Sequence, residues 1–133
     1  MARPVVGVIA NAHLVENRFT VQAVGERTLR AVAEVVGALP LMFAGAPDIT
    51  DIGTLLETVD GVLLTGARAN VHPTRFRAKP HPGHEPYDEA RDAVALALID
   101  ECCLRRLTAS RDSGIARAHE PSGWLNLCRP NST

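Results

Sequence analysis

The stretch "DGVLLTGARANVHP", Asp60 to Pro73, decides how this chain is read. Asp60-Gly61 is a turn signal. "VLLTG", Val62 to Gly66, follows as a short apolar run without alternation, which suits a strand buried on both faces of a parallel sheet. The run stops on Gly66 and opens into a polar loop carrying Asn70, His72 and Pro73. Ligands of open parallel sheets sit at the carboxyl ends of the strands. A glycine at such an end lets the backbone turn with φ > 0 and approach a ligand closely. Backbone N–H groups freed in that turn can hold a developing negative charge. An ordinary turn is the competing reading.

Outward from this stretch, the same logic orders the chain. "PVVGVIA", Pro4 to Ala10, is a second continuous apolar run rich in β-branched residues and reads as the first strand. Asn11 to Arg18 reads as a polar segment. From Thr20, the residues Val21, Val24, Thr28, Val32 and Val35 recur three or four apart, the stripe of an amphipathic helix, with Gly37 as its stop. "PLMFAG", Pro40 to Gly45, reads as a strand whose leading proline needs no ladder donor. Pro47 and Asp48 open a short helix with Ile49, Ile52, Leu56 and Val59 on its buried face. A loop of about twenty residues, Ala67 to Pro86, holds Pro73, Pro80, Pro82 and Pro86, and loops of that length are often functional. A helix begins near Tyr87, with acids in its first turn and arginines in its last, as the helix dipole favours. It is apolar on most sides between Ala93 and Ile99 and is expected to be well buried. Strand and helix therefore alternate, which means an α/β sandwich on a parallel sheet.

Composition narrows the function classes. The chain has 133 residues, 46% of them hydrophobic but only 4% aromatic, so its core is built from Val, Leu, Ile and Ala. The net charge is −1 and the basic residues are scattered among acids, which gives no nucleic-acid footprint. Three cysteines, Cys102, Cys103 and Cys128, make an odd count without regular spacing and argue against a disulfide framework. No run approaches the roughly 20 apolar residues of a membrane span, and the N-terminal run is too short for a secretory signal. A soluble, cytoplasmic protein without membrane partners is expected. His72, His81 and His84 invite a metal reading, but prolines flank them and no helix holds them on one face, so no metal site and no cofactor are expected.

Four pieces in order give the chain a relative. "RPVVGVIA", "AEVVGALPLMF", "DGVLLTGARANVHP" and "DEARDAVALALIDEC" resemble the class I glutamine amidotransferase-like superfamily. Its γ-glutamyl-γ-aminobutyrate hydrolase branch, peptidase family C26, is the closer match. The third piece is the most specific, matching an Asp-Gly-(apolar)-Gly-Gly-x-(Asp/Asn)-Val-x-Pro pattern. The resemblance covers about residues 3 to 103 and implies a flavodoxin-like three-layer sandwich, here incomplete, with three strands plus helices. It also implies hydrolysis of γ-glutamyl amide bonds by a cysteine nucleophile with a histidine and an acid, through a thioester. By position, Gly66 and Ala67 would donate backbone N–H groups to the oxyanion. Ala67 stands where a second glycine is commoner, and φ > 0 would strain it. Asn70, Val71 and Pro73 match the substrate-side loop. Arg91 and Asp92 match an Arg-Asp helix pair, as structural anchors.

The resemblance breaks near Leu107. The family's next element is a buried strand ending in Gly-x-Cys-Arg-Gly, with the cysteine at a helix N-terminus that lowers its pKa. "LTASRDSGIARAHEPSGWLNLCRPNST" has no run of four apolar residues and no clear period. "SGIAR", Ser113 to Arg117, echoes the motif with Ala116 in place of the nucleophile. Cys128 is followed by Arg129 and Pro130 where the turn needs glycine, Cys102 and Cys103 fall inside a helix, and His119-Glu120 has no partner acid. No catalytic residue is therefore assigned. Residues 1–107 are read as the N-terminal part of the domain and 108–133 as an irregular tail, native or frame-shifted. Without a fourth strand the third would keep an unpaired edge, through which self-association is expected.

Three functions compete. One is a γ-glutamyl hydrolase whose chain as given is inactive, its partner in the intact family being a small γ-glutamyl substrate. Another is a non-catalytic ligand-binding or assembly fragment of the same fold. A nucleotide- or phosphate-binding module is the weakest, because "IANAHLVENR" after the first strand has no glycine.

Overall fold

The computed structural model describes residues 2–67, 69, 71–79, 81–108 and 126–128. Its elements are β1 (Val5–Ile9), β2 (Asn11–Val15), β3 (Phe19–Ala23), α1 (Glu26–Ala31), β4 (Leu39–Phe43), α2 (Ile52–Thr58), β5 (Gly61–Leu64), α3 (Glu89–Thr108) and β6 (Asn126–Cys128). The central sheet runs β4-β1-β5-β6, with β1 parallel to both β4 and β5. The chain is thus an α/β protein on a three-stranded parallel sheet, consistent with an incomplete flavodoxin-like fold.

Period-two geometry explains why the strands read as continuous apolar runs. Val6 and Val8 of β1 and Leu63 of β5 join Val32 and Ala38 on the α1 side. Ile9, Phe43 and Val62 face the other way, onto Leu55, Leu56 and Val59 of α2 and Val94, Leu98 and Cys102 of α3. Successive side chains enter opposite layers, and both layers are covered by helices. Gly7 allows close packing here, since a Cβ would meet Val59 Cγ1 at 3.3 Å.

Four features depart from the sequence reading. The stripe from Val21 to Val35 is not one helix: Asn11–Val15 and Phe19–Ala23 form an antiparallel hairpin, and α1 starts only at Glu26. Arg18 N–H donates to the Val15 carbonyl at 3.1 Å while Glu16 and Asn17 both take positive φ, the geometry of a type I′ turn. Gly37 does stop the helix, at φ 72°, but through a widened last turn, Val32–Val36. Ile49 lies outside α2 and is 70% exposed, because the helix begins at Ile52 behind its cap Asp51. On α3 the residues Val94, Leu98 and Cys102, four apart, are buried, whereas Ile99 is exposed. Finally, β6 pairs antiparallel with β5, placing Cys128 opposite Val62 and Asn126 opposite Leu64, so the β5 edge expected to be unpaired carries a strand.

Candidate functional site

The carboxyl ends of β1, β4 and β5 come together under the N-terminus of α3. Asp88 sets that N-terminus: its carboxylate accepts from the Arg91 backbone N–H at 3.0 Å, a capping bond to the third helical residue. The cap fixes the helical phase, so the adjacent Arg91 and Asp92 point to different parts of the loop that follows β5.

Arg91 reaches the start of that loop. Its Nη2 donates to the Thr65 carbonyl in a short contact and lies 3.4 Å from Thr65 Oγ1. The stem crosses Gly45, just beyond β4, where an added Cβ would stand 3.2 Å from Arg91 Cγ and only 2.7 Å from the Ala10 carbonyl. Gly45 must therefore lack a side chain if Arg91 is to lie there. Burial pushes the Arg91 guanidinium pKa down, and the carboxylates of Asp88 and Asp92 push it back up. Its Nε is buried without a partner among the described residues.

Asp92 holds the other end. Only 6% exposed, it accepts from the His72 backbone N–H at 2.8 Å. A buried carboxylate with a charge-assisted bond to a backbone amide is a stiff anchor. His72 itself is enclosed. Its ring stands edge-on to Tyr87 at 4.7 Å, its Nδ1 lies 2.7 Å from Thr74 Oγ1, and its Nε2 lies 3.9 Å from Glu89 Oε1. His72 also caps the short helical turn Pro73–Phe76.

Between the clamps, Gly66 and Ala67 occupy the carboxyl edge. Among the described residues, a Cβ on Gly66 would meet nothing within 4 Å. Neither residue has positive φ; among the described residues that conformation falls on Glu16, Asn17, Gly37 and Arg77. The anticipated strain on Ala67 does not arise, and alanine is compatible with the turn. Val71 is half exposed and Pro73 is buried in the packing beneath the loop. Asn70 lies outside the described residues, as do Ser113 to Arg117 and His119-Glu120.

His72 is committed to the loop, and His81 Nδ1 accepts from the Gly83 N–H at 3.0 Å. Among the described residues no three of His, Cys, Asp or Glu stand close enough to hold a metal ion, and no helix is long and apolar enough to cross a membrane. Cys102 is in the core and Cys103 is exposed on α3. From Arg91 to Cys103 the helix climbs about 18 Å at 1.5 Å per residue, so both thiols lie away from the carboxyl edge. Cys128 sits opposite Val62, and from Val62 to Gly66 the strand direction covers roughly 13 Å.

Sequence reasoning paired Arg91 with Asp92 but missed what they hold. It also missed Gln22, whose Oε1 accepts from the Gly45 N–H at 3.1 Å and ties the β2–β3 hairpin to the same edge. His72 immediately before a loop proline was the available signal for an anchored turn; for Gln22 there was none.

The family model of Peptidase C26 matches residues 4–107. No curated protein matches the chain.

Proposed function

The chain belongs to the peptidase C26 family, and from that premise we propose that it carries the oxyanion half of a γ-glutamyl amide hydrolase site, of the γ-glutamyl-γ-aminobutyrate type, and is inactive alone. The observation that carries this reading is the Thr65–His72 loop: it is fixed at both ends by α3 and presents Gly66 at the carboxyl edge, where no described group would meet an added Cβ within 4 Å. An amide carbonyl bound there would place its oxygen against the backbone N–H groups of Gly66 and Ala67. Those groups would stabilise the charge that develops when a thiolate attacks the carbonyl carbon. The thioester would then be hydrolysed to release glutamate.

The nucleophile is the missing partner. Attack needs sulfur about 3–3.5 Å from the carbonyl carbon, and the helix and strand spacings above keep Cys102, Cys103 and Cys128 several times farther from Gly66. A second reading, a non-catalytic ligand-binding or assembly fragment, is favoured by β6. That strand lies against β5 where the family resemblance calls for a strand leading to the nucleophile.

The test is incubation of the purified chain with γ-glutamyl-γ-aminobutyrate and quantification of free glutamate. No release above buffer is expected, while the Gly66 and Ala67 amide resonances shift on titration with the same compound. Glutamate release abolished by iodoacetamide would overturn the assignment of inactivity. Absence of any amide shift would remove the ligand-binding half of the reading.

A further inference from the structure

We infer that Arg91 and Asp92 are positioning residues that set the geometry of the oxyanion loop from its two ends. The inference rests on the reading of Gly66 and Ala67 given above, and deepens it.

The physics lies in the spacing of the two clamps. Arg91 and Asp92 are neighbours in sequence on the first turn of α3, yet they bind backbone groups seven positions apart in the loop, the Thr65 carbonyl and the His72 N–H. One rigid helical turn thus fixes both the entry and the exit of the segment that carries Gly66 and Ala67. The two bonds have opposite polarity: a guanidinium donates to a carbonyl at one end and a carboxylate accepts from an amide at the other. Each is charge-assisted, and charge-assisted bonds are shorter and stronger than neutral ones.

The Thr65 contact has a further consequence. The Thr65 carbonyl and the Gly66 N–H belong to one planar peptide unit. A donor that fixes the carbonyl oxygen therefore fixes the opposite direction of the Gly66 N–H. If Arg91 releases that oxygen, the peptide can rotate and the Gly66 N–H no longer points at a fixed place. Arg91 orients the donor without touching a substrate. Three further features hold Arg91 in place: the Asp88 cap on its own backbone, the bare Gly45 under its stem, and the carboxylates of Asp88 and Asp92 that favour its charge. Asp92 is the only buried charged side chain among the described residues, and its carboxylate lies on the loop backbone.

The experiment is amide hydrogen exchange and backbone relaxation by NMR on the whole chain, comparing wild type with Arg91→Met, Asp92→Ala and the conservative Asp92→Asn. Methionine keeps an unbranched stem over Gly45 but has no donor. Asparagine keeps an oxygen acceptor for the His72 N–H. Exchange reads the His72 N–H, which is bonded to Asp92; the 15N order parameter reads Gly66 and Ala67, whose N–H groups donate to no described group. Arg91→Met is expected to lower the order parameters of Gly66 and Ala67 from about 0.85 to below about 0.6. Asp92→Ala should raise exchange at His72 at least tenfold, and Asp92→Asn should recover most of the protection. Core amides of Val8, Leu63 and Leu98 serve as the reference for both readouts. Unchanged order parameters at Gly66 and Ala67, or a rise at His72 no larger than at the reference amides, would overturn the inference, because the two residues would then act on global stability alone or on nothing. Titration of each variant with γ-glutamyl-γ-aminobutyrate separates the two readings. Selective loosening of the loop without ligand binding by the wild type would sink the proposed function and leave the positioning role standing.

Discussion

Gly45→Ala tests the packing beneath the candidate site. The new Cβ would stand 2.7 Å from the Ala10 carbonyl oxygen and 3.2 Å from Arg91 Cγ. Ordinary contact begins near 3.4 Å, so a gap of roughly 0.7 Å must open against backbone. Ala10 cannot retreat easily, because its N–H is bonded to the Phe43 carbonyl at 2.9 Å and its side chain is buried. Gly45 cannot retreat easily either, since its own N–H is held by Gln22. Overpacking of this kind costs about 1–3 kcal/mol. Taking about 2 kcal/mol, and about 4 °C per kcal/mol for a domain of this size, Tm should fall by about 8 °C. Gly53→Ala is the internal control. Gly53 lies in α2, and its Cβ would meet only Asp51 Oδ1, at 3.6 Å. Replacing glycine by alanine in a helix contributes about 0.5–1 kcal/mol, so Tm should rise by about 2–4 °C. Thermal unfolding followed by circular dichroism reads both. A Gly45→Ala protein melting within 1 °C of wild type would refute the close approach, and equal losses at both glycines would show that packing against Ala10 is not the cause.

Two further outcomes follow from the same geometry. Asp51 caps α2 through Gly53 N–H at 3.2 Å and Thr54 Oγ1 at 2.5 Å, and the Thr54 bond is the main reason its carboxyl pKa is lowered. A lowered folded-state pKa stabilises above the unfolded value of 3.8 and that stabilisation is lost as the pH falls through the folded value. Asp51→Ala should therefore melt below wild type at pH 7, with the difference shrinking below pH 3.8; a pH-independent gap would contradict the linkage. Ending the chain after Thr108 removes β6 and bares the outer edge of β5, so self-association is expected to increase. Concentration-dependent elution on a sizing column checks this, and a monodisperse monomer equal to the full chain would count against it.

The parallel strands were legible as continuous apolar runs: burial on both faces accounts for β1 and β5, whereas β4, at the sheet edge, carries such a run with only Phe43 buried. Gly37 was legible as a stop because left-handed φ favours glycine. The hairpin was not legible. Its turn is Glu16-Asn17 without a glycine, and Val21, now on β3, happens to keep helical spacing with Val32 across an element boundary. Period alone cannot distinguish one helix from a strand followed by a helix when valines serve both.

The candidate site divides along the same line. Sequence by itself determined that a buried strand runs up to the neighbourhood of Gly66 (it ends at Leu64), that a long proline-bearing loop follows, and that Arg91 and Asp92 lie near the start of a helix. Those facts are local, set by turn chemistry, burial runs and capping. Only the tertiary structure decided what the residues hold. The Arg91 contact to Thr65 and the Asp92 contact to His72 join positions twenty or more residues apart. Bonds of that range leave no periodic trace, because they depend on where a helix docks against a sheet edge. The conformation of Ala67 was decided there as well. The loop passes Gly66 and Ala67 without positive φ, so alanine can stand where the family pattern has a second glycine.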